Sequence, residues 1–83
     1  MASLLSVLGT ERHGIEQDLA LRLTWERLQA VDARAGKVVW LRYVEGLSLE
    51  EIAERLHLTV PRVRVDCAFG VQWMAGRLRR TSV

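Results

Sequence analysis

Arg62 and Arg64 stand two residues apart, directly after Thr59-Val60-Pro61. A guanidinium is a rigid fork of donors that suits either a phosphate or the O6 and N7 edge of guanine, and the residue types leave both targets open. Elsewhere the chain offers little reactive chemistry. It has no phosphate-cradling glycine loop, no Gly-flanked serine nucleophile and no His-Glu-x-x-His pair. Glu50, Glu51 and Glu54 look like paired acid-base carboxylates, but Glu51 is needed in a helix cap and the cluster reads as a solvated helix face. His13 and His57 lack a carboxylate or cysteine at ligand spacing, and with the single Cys67 they fall short of a four-ligand zinc set. They read as linker and turn residues, and Cys67 as a packed thiol. The expectation is a chain that is not an enzyme, with no catalytic residues, no metal and no cofactor.

The polypeptide that must position those arginines has 83 residues, 49% of them hydrophobic and 27% charged, with one proline. That is enough apolar surface to offset chain entropy. A chain of this size buries only about 60% of its unfolded surface, however, which leaves little room for a catalytic cleft beside a sound core. One small folded unit is expected. The longest apolar runs, such as Val38-Val39-Trp40-Leu41, span four residues, far short of the roughly 20 needed to cross a bilayer. The apolar opening at Met1-Ala2-Ser3-Leu4-Leu5 lacks the basic start and small-residue cleavage site of a signal peptide. A cytoplasmic protein with no membrane partner is expected. Charge is unevenly shared: there are six basic and nine acidic residues up to Glu54, but six basic and one acidic from Arg55 onward. A basic C-terminal third points either to an anionic partner or to a solvated arginine-rich helix.

Apolar residues recur at spacings of three and four throughout, so the class is all-α, a small domain of four to five helices. Residues 1–14 read as an N-terminal segment or linker, with one short turn at Leu4, Leu5 and Leu8, and residues 15–83 as the domain. The first solid helix is expected from Ile15 to Ala30. Ile15, Leu19, Leu21, Leu23, Trp25 and Leu28 build its wide apolar face, with Glu16, Asp18, Arg22, Glu26 and Arg27 largely opposite. Asp32 is the expected N-cap of a second helix running through Val38, Leu41 and Tyr43 to a left-handed stop at Gly46. Gly36 weakens that helix by about 1 kcal/mol against alanine. Ser48-Leu49-Glu50-Glu51 is a capping box; it opens a third helix that places Leu49, Ile52, Ala53 and Leu56 on one face and ends at His57-Leu58. Thr59 caps a fourth, expected from Val60 to Leu78, with Pro61 in the first turn, where amides lack intrahelical partners.

A short capped helix, a tight turn and a longer helix with basic residues in its first turns form a helix-turn-helix. Ala53 is the small residue at the crossing, Ile52 and Leu56 anchor the core, and Val63 and Cys67 return that packing from the second helix. Pro61, Arg62, Arg64, Val65 and Ala68 then face outward at the end that enters a major groove, so Arg62 and Arg64 are the expected DNA contacts. Val65, Phe69 and Trp73 form a stripe at i, i+4, i+8 beside that face, expected to pack as core on the Ile15–Ala30 helix. Exposed, it would instead be a surface for a partner protein. Arg77, Arg79 and Arg80 are expected to complement the helix dipole rather than to clamp phosphates.

The stretch Leu41-Arg42-Tyr43-Val44-Glu45-Gly46-Leu47-Ser48-Leu49-Glu50-Glu51-Ile52-Ala53-Glu54-Arg55-Leu56, followed by Thr59-Val60-Pro61-Arg62-Val63-Arg64, resembles region 4 of bacterial sigma-70 family factors. The likeness is greatest to the extracytoplasmic-function group; Asp66, Phe69 and Trp73 look like its ECF-like subgroup, and the likeness covers about Leu28 to Leu78. The resemblance implies a four-helix, winged-helix-free domain that binds the promoter −35 element in double-stranded DNA and contacts the flap of the RNA polymerase β subunit. Carried over residue by residue, it implies that Arg42 contacts a phosphate and that Arg62, Arg64 and Val65 face bases or backbone in the major groove. The candidate DNA-contact set is therefore Arg42, Thr59, Pro61, Arg62, Arg64, Val65 and Ala68.

The chain departs from the family pattern in three places. His57 occupies the turn position that is usually glycine and calls for a strained or left-handed backbone, which histidine tolerates better than β-branched residues. Ala68 stands where a basic or large residue is common, so one contact is missing. Nothing in the chain resembles region 2, so it is expected to be an excised domain or a small stand-alone relative that does not initiate transcription alone. The rival reading is a protein-interaction module that keeps the fold but docks on RNA polymerase, an anti-sigma protein or its own copy as a homodimer. The stripe Val65, Phe69 and Trp73, the missing basic group at Ala68 and the acidic N-terminal half favour it.

Overall fold

Asp18 divides what the apolar spacing reads as one helix. The computed structural model, which describes residues 14–81, has α1 over Gly14–Gln17 and α2 over Leu19–Val31. Between them Asp18 adopts an extended backbone (φ −91°, ψ 113°), and its carboxylate accepts from the Leu21 amide at 3.2 Å. Aspartate competes for backbone donors in this way, so it opens a helix more readily than it sits inside one. The break changes which side chains reach the core. Ile15, Leu21 and Leu28 are buried, but Leu19 and Leu23 are 70% and 50% exposed, contrary to the expected wide face. Thr24 is buried in α2, its hydroxyl donating to the Ala20 carbonyl oxygen at 2.7 Å. The N-terminal segment expected over residues 1–14, with its turn at Leu4, Leu5 and Leu8, lies outside the described residues apart from Gly14.

Asp32 caps α3 (Ala33–Tyr43) as expected, accepting from the Ala35 amide at 3.1 Å. This helix ends at Tyr43, just before the expected stop, and Gly46 follows in the left-handed region at φ 74°. Ser48 and Glu51 form both arms of the capping box that opens α4 (Leu49–Leu56), with bonds of 3.0 and 2.9 Å. His57 closes α4 at φ 57° and ψ 45°. There the amides of His57 and Leu58 donate back to the Glu54 and Ala53 carbonyl oxygens, the paired bonds of a Schellman ending. Thr59 then caps α5 (Val60–Thr81), its Oγ1 accepting from the Arg62 amide at 3.3 Å. The last helix runs three residues past the expected Leu78. The described residues are all-α, with no strand.

Two apolar clusters share α3 and α5. Ile15, Leu21, Leu28, Ala35, Val39, Val71 and Met74 form one, and Val38, Leu41, Ile52, Ala53 and Val63 form the other, with Cys67 packed against both. Helix α3 feeds the first with Ala35 and Val39 and the second with Val38 and Leu41, because residues three and four apart point to neighbouring sectors of one helix. Each fully buried leucine, isoleucine or valine contributes about 1.5–3 kcal/mol. Gly70 lets α5 approach α2 and α3 closely: a Cβ there would lie 2.6 Å from Val39 Cγ2 and 3.2 Å from Leu28 Cδ2. Helix α5 is thus fixed along its length, its first turns by the second cluster and its middle by the first.

Candidate nucleic-acid interface

The turn between α4 and α5 decides which residues of α5 face outward. Val63 is fully buried against Ile52 and Ala53, as the helix-turn-helix crossing requires. With Val63 turned inward, Pro61, Arg62, Arg64, Val65 and Ala68 are all exposed, and so is the capping residue Thr59. The sequence-derived contact set on α5 is therefore brought together on one side of its N-terminal half. Pro61 costs no hydrogen bond in the first turn, and the helix N-terminus adds a partial positive charge there.

Arg42 lies at the far end of α3, where its Nη1 donates to the Leu47 carbonyl oxygen at 2.9 Å. Its side chain holds the loop between α3 and α4 and remains exposed. Arg42 and Arg64 line one open cleft together with Tyr43, Leu49, Cys67, Ala68 and Val71. Two guanidinium groups thus border a largely apolar floor.

Arg62 is exposed but not unattached. Its Nη2 donates to Asp66 Oδ1 at 3.1 Å, and Arg34 Nε of α3 lies 2.7 Å from Asp66 Oδ2. The Arg34 contact is an ion pair without hydrogen-bond alignment, since Oδ2 accepts no hydrogen bond. Asp66 is only 2% exposed. In the sequence Asp66 stands out only through the family likeness, and Arg34 does not stand out at all. Half of this cluster was legible, because Arg62 and Asp66 are spaced i, i+4. Arg34 belongs to another helix and carries no local signal. Arg64 makes no ion pair among the described residues.

The stripe expected to be core is divided. Trp73 packs against the first cluster, but Val65 and Phe69 are 56% and 43% exposed, so they do not pack on α2 as expected. The reason is register: Val63, Asp66 and Gly70 occupy the inward positions of this part of α5, which turns Val65 and Phe69 away from the core. Near the C-terminal end, the Arg77 guanidinium lies 5.6 Å from the centroid of the Trp73 ring, a cation–π arrangement.

Among the described residues, three groups have shifted acidities. Bonds from the Ser48 amide and hydroxyl, aided by Arg55, hold the Glu51 carboxyl below its ordinary value. Burial, with Cys67 adjacent, pushes Tyr43 up to about 12. Burial likewise raises the Cys67 thiol, against smaller opposing effects of Tyr43 and Arg42. A raised thiol is a poor nucleophile at neutral pH. No group of three His, Cys, Asp or Glu side chains among the described residues could hold a metal ion, and no helix among them is long and apolar enough to cross a membrane.

Residues 21–73 match the family model described as sigma-70, region 4. That span reaches from α2 to Trp73 in α5 and includes every residue of the contact set. Neither the curated proteins nor the solved structures give a match.

Proposed function

Because the chain belongs to the sigma-70 region 4 family, whose role lies in transcription initiation, we propose that it reads a promoter −35 element in duplex DNA with the N-terminal half of α5. The observation that carries this is the exposure of Arg62 and Arg64 on a helix whose opposite side is locked by Val63 to a capped α4. In this reading α5 enters the major groove and Arg42 meets a phosphate across the cleft. Arg62, Arg64 and Val65 face bases or backbone. The flap of the RNA polymerase β subunit is the protein partner, consistent with the family's interaction with polymerase and DNA.

A mobility-shift titration at several salt concentrations tests the proposal. Affinity for promoter duplex is expected to fall steeply as salt rises, with a logarithmic slope near −0.9 per phosphate contact. Arg64→Ala is expected to weaken binding by about 1–3 kcal/mol if it reads a base, and to reduce the salt slope by about one if it holds a phosphate. Absence of any shift at low salt overturns DNA binding.

The exposure of Val65 and Phe69 favours a second reading, an interaction module that docks on an anti-sigma protein or a second copy through this stripe. Light scattering separates the two. A tight dimer broken by Phe69→Ser supports docking, and a monomer that shifts DNA supports the first reading.

A further inference from the structure

Asp66 is the one acidic residue of α5 and lies between two guanidinium groups of different origin. Arg62 comes from the leading turns of α5 itself, and Arg34 reaches over from α3. A buried carboxylate with a single cation would hold that cation captive, since its departure leaves an uncompensated buried charge. With Arg34 at Oδ2, the carboxylate keeps a counter-charge whatever Arg62 does. The bond to Asp66 uses Nη2 of Arg62, and 48% of the Arg62 side chain stays exposed. The remaining guanidinium donors are left for a ligand.

We propose that Asp66 is a positioning residue for DNA recognition: it presets the Arg62 guanidinium on the reading face, while Arg34 secures the carboxylate from the scaffold side. The proposal rests on the DNA-reading function above. An arginine already held in one orientation loses less conformational freedom when it meets a base, and a fork fixed in one plane discriminates between base edges. Arg64, without an ion pair among the described residues, suits a phosphate, where charge matters more than orientation. The two arginines of the leading turns thereby divide the work, Arg62 toward sequence and Arg64 toward backbone.

The test compares affinity for a duplex enriched from a randomised pool by the wild-type chain with affinity for a scrambled duplex of equal length. Asp66→Asn keeps the shape and removes the charge. The ratio of the two affinities is expected to fall roughly tenfold, the size of one oriented base contact, while affinity for the scrambled duplex holds or rises because a negative charge is gone. Arg62→Ala is expected to lower the ratio equally, and Asp66→Asn to add nothing in that background, as for a residue that acts through another. Equal weakening on both duplexes, or additive effects in the double variant, overturns the proposal.

A second measurement needs no substitution. Nitrogen relaxation at the arginine Nε positions of the free wild-type chain is expected to find Arg62 ordered and Arg64 mobile; equal mobility overturns the proposal even if Asp66→Asn fails to fold. A wild-type chain that prefers no duplex removes the DNA-reading function and this role with it. A preference untouched by Asp66→Asn removes the positioning role alone.

Discussion

The indole Nε1 of Trp25 donates to the carbonyl oxygen of Gly36 at 2.8 Å, joining α2 to α3 through a position that has no side chain. A Cβ on Gly36 would lie 2.4 Å from Gln29 Cγ and 3.1 Å from Gln29 Cα, so the two helices meet backbone to backbone at this point. The close approach sets the Trp25 and Trp40 rings 4.6 Å apart at a tilt of 44°, and the Arg22 guanidinium lies 5.6 Å from the Trp40 ring centroid. Because α3 carries residues of both apolar clusters, this contact helps to set the platform on which α5 is held.

Gly36→Ala is therefore expected to destabilise the chain by about 1–3 kcal/mol through overpacking, in spite of a helix-propensity gain of about 1 kcal/mol. Gly76→Ala is the control, since a Cβ there meets nothing within 4 Å, and it is expected to stabilise by up to about 1 kcal/mol. Urea denaturation of both variants checks the pair. A stabilised Gly36→Ala would show that the interhelical approach is not limiting.

The leucines of α2 are expected to separate by register. Leu28→Ala, at a fully buried position, is expected to cost about 2–5 kcal/mol. Leu19→Ala, at a position 70% exposed, is expected to stay within about 0.5 kcal/mol of wild type. Thermal melts of the two proteins measure the difference, and similar losses would restore the single uninterrupted helix.

His57→Gly is expected to stabilise the helix-turn-helix by about 0.5–1 kcal/mol, because a left-handed backbone strains any side-chain-bearing residue and spares glycine. Chemical denaturation reads the change. A loss of stability would mean that the exposed imidazole makes a contact worth more than the backbone strain.

Acid is expected to loosen the start of α4. The Glu51 carboxyl is held below its ordinary value by Ser48, so its contribution is complete above the usual carboxylate range and fades as pH falls through the lowered value. The melting temperature of Glu51→Gln is expected to lie below that of wild type at neutral pH and to converge on it as pH falls below the ordinary carboxylate range. A constant gap across that range would remove the charge from the cap. Ser48→Ala is expected to cost about 1 kcal/mol at neutral pH.

Alkali acts on Tyr43, the chain's single tyrosine, so phenolate absorbance reports it alone. Its folded value of about 12 lies above the ordinary 10. The neutral phenol is thus preferred by the folded state, and the associated stability is complete below pH 10 and lost as pH rises towards 12. A titration midpoint near 10 in the folded chain would place the hydroxyl in open water.

Much of the candidate interface was legible because its signals are local. Asp32, Ser48 with Glu51, and Thr59 announced three helix starts through side-chain oxygens that reach amides three residues on. The end of α4 at His57 followed from its apolar periodicity, and the left-handed backbone there from the family resemblance, in which that turn position is usually glycine. The outward set Pro61, Arg62, Arg64, Val65 and Ala68 followed from the helical period once Val63 was turned inward. Leu19, Leu23, Val65 and Phe69 were harder to place, since an apolar stripe shows that a face exists and not whether a neighbour covers it.

Helix starts, the turn between α4 and α5 and the identity of the outward arginines came from the order of residues, because capping and periodicity act over three or four positions of one chain. The exposure of Leu19, Leu23, Val65 and Phe69 and the approach at Gly36 depended on how helices fit together. The same is true of Arg34, whose ion pair with Asp66 joins α3 to α5. A carboxylate finds its second cation only when folding brings distant segments within a few ångströms, and no spacing along the chain encodes that distance.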